Sequence, residues 1–216
     1  MLTHENAARE MGHAVIAGVD EAGRGPLAGP VAAAAVIFPD GVKMDGLTDS
    51  KKLTREKREK FFDLIFEKAV AVGFHLVGPD VIDSINILQA TKLAMADAVR
   101  KLSSRPDYVL IDGNQTIPWD GPQKTIVKGD SLSLSIAAAS VIAKVTRDKV
   151  MGEYAAMYPE YGFEKHKGYG VAEHLDAIKK YGPSPIHRRT FRGVKEFCDI
   201  GGEPAGALPQ LELPGQ

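Results

Sequence analysis

Four acidic side chains stand where hydrophobic runs of this chain stop. Asp20 and Glu21 follow Ala14-Val-Ile-Ala-Gly-Val19, Asp112 follows Tyr108-Val-Leu-Ile111, and Asp130 comes two residues after Lys124-Thr-Ile-Val-Lys128. In open α/β sheets ligand sites gather at strand ends, where loops diverge and side chains converge. Carboxylates gathered there repel one another and hold their protons more tightly unless a cation neutralises them. Mg²⁺ or Mn²⁺, which takes oxygen ligands, suits such a set. Zinc does not, because Cys198 is the only cysteine and the six histidines are scattered without ligand spacing. Any one acid taken alone is better explained as a turn former, and Asp112-Gly113 is an ordinary turn dipeptide. The adjacent pair is harder to dismiss. Strand alternation sends Asp20 and Glu21 to opposite faces, so both reach one site only if the chain is already leaving the strand.

The residues that follow supply such a departure. Gly23-Arg24-Gly25 exposes backbone N–H groups with no Cβ in the way, beside a guanidinium that reaches phosphate or a sugar hydroxyl. A lone Gly-x-Gly is usually a tight turn. Directly behind two acids, it is a place where a polymer backbone presses against a metal site.

The positioning elements read as α/β. Strands are expected over Ala14–Asp20, Val31–Phe38, Ala69–Val77, Tyr108–Asp112 and Lys124–Lys128. The alanines of the second run favour helix in isolation, but its short length and flanking Pro and Gly favour a buried strand paired to the first. Helices are expected over Thr54–Glu67, from Pro79 onward with a more regular stretch Leu93–Leu102, over Leu134–Met157, and over Val171–Tyr181, with Gly162–Gly170 a loop and Ser184–Lys195 irregular. The sum is a mixed sheet flanked by helices with a small helical extension.

The 216 residues, 44% of them hydrophobic, suffice for one compact domain and exclude wholesale disorder or a disulfide-stapled miniprotein. One cysteine forms no internal disulfide and suits a reducing compartment. Met1–Glu10 contains no apolar h-region and no run approaches bilayer length, so a cytoplasmic protein is expected. The formal charge is -1, which offers no hint of a nucleic-acid partner. That total is misleading. Residues 196–216 hold four of the 28 acids and none of the 27 bases, leaving 27 bases against 24 acids in residues 1–195.

Six segments together resemble ribonuclease HII: Asp20-Glu-Ala-Gly-Arg-Gly-Pro-Leu27, Thr48-Asp-Ser-Lys-Lys-Leu53, Ile111-Asp-Gly-Asn114, Lys128-Gly-Asp130, Ala138-Ala-Ser-Val-Ile-Ala-Lys144 and His166-Lys-Gly-Tyr-Gly170. They match in order and spacing across about residues 14–195, and the joint pattern is specific where the pieces are not. The resemblance implies a ribonuclease H-like mixed five-stranded sheet, with a catalytic domain over 13–157, a substrate-binding extension over 158–199 and a flexible acidic tail over 200–216. It implies an endonuclease that hydrolyses the RNA strand of RNA–DNA hybrids and cuts at single ribonucleotides in duplex DNA, as in ribonucleotide excision repair. Asp20, Glu21, Asp112 and Asp130 become the ligands of two Mg²⁺ or Mn²⁺ ions that straddle the scissile phosphate and leave 3′-hydroxyl and 5′-phosphate ends. Asp148 competes with Asp130, but it lies inside a helix within reach of Arg147 or Lys144, whereas Asp130 matches the family motif.

The same resemblance places Gly23, Arg24 and Gly25 at the ribonucleotide 2′-hydroxyl, which distinguishes RNA from DNA, and stacks Tyr169 on the neighbouring deoxyribose. Lys51 and Lys52 are the leading phosphate contacts, with Ser50 of the same motif and Lys144 also on the substrate side, and His166, Lys167, Arg188 and Arg189 weaker candidates. Basic runs are commonly just solvated faces, and Lys51–Lys60 overlaps an amphipathic helix. Val171 and Thr190 depart from the usual family residues Thr and Ser. A monomer is expected, and in the tail Gln210-Leu-Glu-Leu213 is the one candidate for contact with a sliding clamp. A junction resolvase-type nuclease on the same fold is the competing enzyme reading, and the Gly-Arg-Gly turn and Tyr169 argue against it. A binding protein without catalysis would not need four acids at strand ends.

Overall fold

A computed structural model of the chain describes residues 1–198. The expected acidic tail and its Gln210–Leu213 stretch lie outside the described residues. Five strands form one sheet in the order β3-β2-β1-β4-β5. They are β1 (Ile16–Ala22), β2 (Val31–Ile37), β3 (Ala71–Val77), β4 (Tyr108–Asp112) and β5 (Gln123–Ile126). β1, β2 and β3 pair antiparallel, while β4 and β5 run parallel to β1.

Helix α3 (Pro79–Arg100) covers one face and α4 (Leu134–Met157) the other, with α2 (Arg55–Lys68) packed outside α4. This sandwich explains the alanines of β2. All seven of its residues are buried, with Ala33 and Ala35 under α3 and Ala34 under α4. Burial between two helices overrides the helical preference of Ala. On α4 the small residues Ala137, Ala138 and Ala139 let the helix lie close to the sheet. The approach is closest at Gly18 of β1, where a Cβ would collide with the backbone of Ser135 and Ile136.

Three features depart from expectation. Helix α1 (Thr3–Glu10) precedes the sheet, and its polar sequence hides two anchors. Ala8 packs on Ile16, Leu110 and Ile136, and the buried Glu5 accepts from Ser133 Oγ (2.7 Å), Ser135 Oγ (2.7 Å) and Ser135 N–H (3.0 Å) at the start of α4. α3 is kinked at Asn86, which has φ 66° and ψ 162°. Its Oδ1 caps the second half by accepting from the amides of Leu88 and Gln89. Within Gly162–Gly170, residues Phe163–His166 form a helical turn, α5.

Helix α6 (Ala172–Tyr181) and the segment after it build a second apolar cluster with α5. Phe163, Ile178, Ile186 and Val194 meet Val150, Met151 and Tyr154 of α4 there, together with Leu27 and Ala28 beyond β1. The extension therefore packs on the loop that leaves the acid-bearing strand. No helix among the described residues is long and apolar enough to cross a membrane.

Candidate active site

β1 and β4 lie side by side in parallel, with Val19 opposite Ile111, so the next residues, Asp20 and Asp112, reach the same end of the sheet together. The expectation that the chain leaves β1 at its acids is corrected here. Asp20 and Glu21 are both in the strand, opposite Ala34 and Ala33 of β2. Alternation holds: Asp20 faces Ser140 on α4, while Glu21 lines a cleft with Leu88, Thr91 and Lys92 of α3. The two acids lie on opposite faces of the sheet at the end of its central strand, and Asp112 acts electrostatically on both.

Backbone amides fix their orientation. Asp20 Oδ1 accepts from Glu21 N–H at 2.7 Å, and Asp112 Oδ1 accepts from Gly129 N–H at 2.6 Å. The turn that offers Gly129 carries Lys128 in the left-handed region, φ 59°, and sets Asp130 down buried beside Asp112. Asp130 also faces Asp49, whose carboxyl acts on it, a residue in the Thr48–Leu53 motif that its sequence gave no separate reason to select.

The electrostatics follow from this crowding. Burial, then Glu21 and Asp112, push the Asp20 carboxyl well above its ordinary value, and only 5% of the residue is exposed. Burial also raises Glu21 against the opposing pull of Arg24, whose Nη1 is 3.3 Å from Glu21 Oε1. Asp130 is raised by burial, Asp49 and Asp112, with Lys51 opposing. Among the described residues, no three His, Cys, Asp or Glu side chains are drawn together tightly enough to hold an ion as they stand. Chemically the donor set fits hard divalent cations: carboxylate oxygens, partly buried and mutually repelling, with no sulfur or imidazole among them.

Beside the acids the Gly23–Gly25 turn is held from behind by two buried arginines. Arg188, fully buried, donates to the carbonyls of Gly23, Arg24 (2.9 Å) and Gly29 (3.0 Å). Arg147 donates to those of Ala28 (3.1 Å), Pro30 (3.0 Å) and Lys167 (3.1 Å). Gly23 has φ 96°, and a Cβ there would run into the Arg147 side chain. Tyr169 is 46% exposed, and its ring edge lies 3.7 Å from where a Cβ on Gly25 would stand.

The basic candidates separate. Lys51 and Lys52 are exposed on a short 3₁₀ turn next to the acids, with Lys52 Nζ 3.3 Å from Ser131 Oγ. Ser50 is buried beneath them, 2.9 Å from Ser140 Oγ. Lys144 pairs with Asp148 at 2.7 Å, which accounts for that competing acid as an ion pair along α4. Lys167 is half-buried in the left-handed region, and the backbone N–H of Arg189 donates to Asp83 at 2.7 Å. Two candidates are engaged within the protein. The guanidinium of Arg188 donates to the three carbonyls named above. His166 is committed too: its Nε2 bonds the Tyr161 carbonyl and its Nδ1 accepts from Gly168 N–H. Sequence reasoning missed Arg147 and Arg188 as scaffolding because an Arg reads as surface until its carbonyl partners are known.

Three antiparallel and two parallel strands, helices on both faces and acids at the ends of the central parallel pair place this chain among nucleases of the ribonuclease H-like fold. A solved ribonuclease H2 from Pyrococcus horikoshii superposes with TM-score 0.72 at 27% identity, over 86% of this chain and 98% of that one. A ribonuclease HII of Archaeoglobus fulgidus, solved in complex with PCNA, gives TM-score 0.69 at 24% identity over 82% and 95%. In sequence, residues 17–194 match the family described as Ribonuclease HII. A Ribonuclease HII from Geobacter metallireducens is 61% identical over 194 residues, covering 90% of this chain and 91% of the relative. The chain belongs to the ribonuclease HII family of endonucleases.

Proposed function

We propose that this protein hydrolyses the RNA strand of RNA–DNA hybrids and cuts duplex DNA at single embedded ribonucleotides, leaving 3′-hydroxyl and 5′-phosphate ends. One observation carries the reading: the acids Asp20, Glu21, Asp112 and Asp130 gather at one end of the central strands, directly beside the arginine-backed Gly23–Gly25 turn. These four residues would hold two divalent ions, Mg²⁺ or Mn²⁺, which supply Lewis-acid stabilisation of charge on the phosphoryl oxygens.

The rest is done by the chain. Asp20 and Asp112 are oriented by backbone amides before any ligand arrives, which lowers the reorganisation needed at the moment of reaction. Gly23 and Gly25 leave the backbone of this turn open to the ribose 2′-hydroxyl, which only RNA carries, with the Arg24 side chain beside it. Tyr169 offers an exposed ring next to Gly25 for stacking on the adjoining deoxyribose. Lys51 and Lys52 approach the phosphates from the side of Asp130, with the protein acting as a monomer.

The test is cleavage of a labelled duplex carrying one ribonucleotide, with Mg²⁺, Mn²⁺ or chelator, against the all-DNA duplex and a long hybrid. Cutting at the ribonucleotide that needs the metal and spares all-DNA is expected. Equal cutting of all-DNA duplex, or cutting that survives chelator, sinks the reading. The A. fulgidus relative was solved with PCNA. A similar clamp contact here would fall to Gln210–Leu213, and a clamp pull-down with and without residues 201–216 decides it.

A further inference from the structure

Three of the six histidines, scattered in sequence, converge behind Tyr169. His174 and His187 are fully buried, and His166 stacks on His174 with ring centroids 4.5 Å apart. The direction of every hydrogen bond here follows from one fixed donor. The backbone N–H of Ser184 points at His187 Nδ1 from 2.9 Å, so that nitrogen carries the lone pair. Ser184 Oγ, 2.8 Å from the same atom, donates to it as well. The proton of His187 is then on Nε2, 3.0 Å from His174 Nε2, which must accept it. The remaining proton of His174 sits on Nδ1 and goes to the carbonyl of Tyr169 at 2.9 Å. That carbonyl also accepts from Val171 N–H at 2.9 Å.

We propose that Ser184, His187 and His174 form a positioning relay that fixes the backbone of Tyr169, and with it the angle at which its ring meets the sugar at an RNA–DNA junction. The proposal rests on the assignment of Tyr169 to substrate made above. Both rings are neutral and each is locked in one tautomer, because a second proton on either would set two donors facing each other. A buried polar chain costs more than apolar packing unless every member is satisfied, and here every member is. Its last bond falls on the backbone of a residue whose side chain is half outside. The neighbouring residue explains why the relay starts where it does. Arg188 holds the carbonyls of Gly23 and Arg24, so the His187–Arg188 dipeptide sets the glycine turn with one side chain and Tyr169 with the other. A bridge between Ala28 and His187 and the bond from Leu27 N–H to the Gly168 carbonyl tie the two loops into one register.

The conservative variant is informative. Asn at 174 can place an amide N–H where Nδ1 donates, whereas Ala cannot. The full chain is prepared as wild type, H174A, H174N, Y169A and H174A/Y169A, each checked for folding by circular dichroism. Cleavage of the single-ribonucleotide duplex and of a long hybrid is compared under single turnover, and amide exchange is followed over residues 166–172. H174A should lower the junction-to-hybrid ratio by about tenfold, short of the ~100-fold that a misplacement of a full ångström can cost. Y169A should lower it equally, the double variant no further, H174N should restore most of it, and exchange at Val171 should quicken in the two variants that carry H174A and not in Y169A. An unchanged ratio in H174A, a double variant clearly worse than Y169A, or folded H174N behaving like H174A overturns the relay. If Y169A leaves the ratio untouched, the assignment of Tyr169 to substrate falls and the proposal with it. If Y169A lowers the ratio and H174A does not, only the relay falls.

Discussion

Asp20 and Asp112 stand one residue beyond the paired Val19 and Ile111 on neighbouring parallel strands, and each already holds a backbone amide, of Glu21 and of Gly129. With one oxygen of each fixed, the two side chains cannot relieve their repulsion by swinging apart. The repulsion is stored in the fold.

Neutralising one member should therefore stabilise the protein while destroying its activity. In chelator near neutral pH, Asp20→Asn is expected to raise the melting temperature by at least ~2 °C, the shift that about 1 kcal/mol gives a chain of this size. Cleavage with Mg²⁺ should fall by orders of magnitude. A lower melting temperature would show that the Asp20 carboxylate is supported by the Glu21 amide and the nearby Ser140 more than it is opposed by Asp112.

Arg188 is a scaffold, so charge alone will not replace it. Lys at this position carries the charge but cannot reach the carbonyls of Gly23, Arg24 and Gly29 together. Arg188→Lys should cost roughly 2–4 kcal/mol in urea unfolding, the scale of losing charge-assisted bonds and stranding carbonyls. Loss of substrate binding with stability unchanged would instead return Arg188 to the phosphate-contacting group.

Burial, opposed by the bond to the Tyr169 carbonyl, lowers His174 to about 4, and burial with the neighbouring His174 lowers His187 to about 3. An unfolded imidazole titrates near 6.5. The unfolded chain thus binds more protons in this window. The stability gained by keeping both rings neutral is complete above pH ~6.5 and is lost as pH falls toward 4 and then 3. Asp20, Glu21 and Asp130, which are raised, act in the opposite direction. Comparing His187→Gln with wild type isolates the contribution of His187, because those acids are common to both. Between about pH 7.5 and 5 the wild type should lose more stability than the variant, and parallel curves would refute the assignment.

Lys51 and Lys52 should act through phosphate charge. Replacing both with Ala is expected to weaken binding to long hybrid and to single-ribonucleotide duplex alike. The slope of log affinity against log salt should fall by about 1–2, since each phosphate contact contributes ~0.7–0.9. An unchanged slope in fluorescence anisotropy would remove them from the interface.

Elements with strong local patterns were legible from residues alone. β4 spans Tyr108–Asp112 and α4 spans Leu134–Met157, as their sequences indicate. The end of β1 was misjudged because glycines announce a turn without saying how far the strand persists, and pairing to Ala32 and Ala33 carries it on to Ala22. α1 escaped notice because its anchors are a single alanine and a buried glutamate. The acids could be picked out at strand ends, but Asp49 could not, since its partner Asp130 lies far along the chain. The histidines escaped for the same reason. Their spacing means nothing until α6 and the strip around His187 are folded against each other.

Arg188 also decides which way the peptide groups of the glycine turn face. In a trans peptide unit the C=O and N–H point in opposite directions. With the oxygens of Gly23 and Arg24 turned inward to Arg188, the amides of Arg24 and Gly25 must turn outward. This surface loop therefore has a polarity: it shows hydrogens, and will accept only what offers lone pairs, such as a hydroxyl or phosphate oxygen. That choice is made from beneath, by a cation 164 positions along the chain from Arg24 that need never touch the molecule being read.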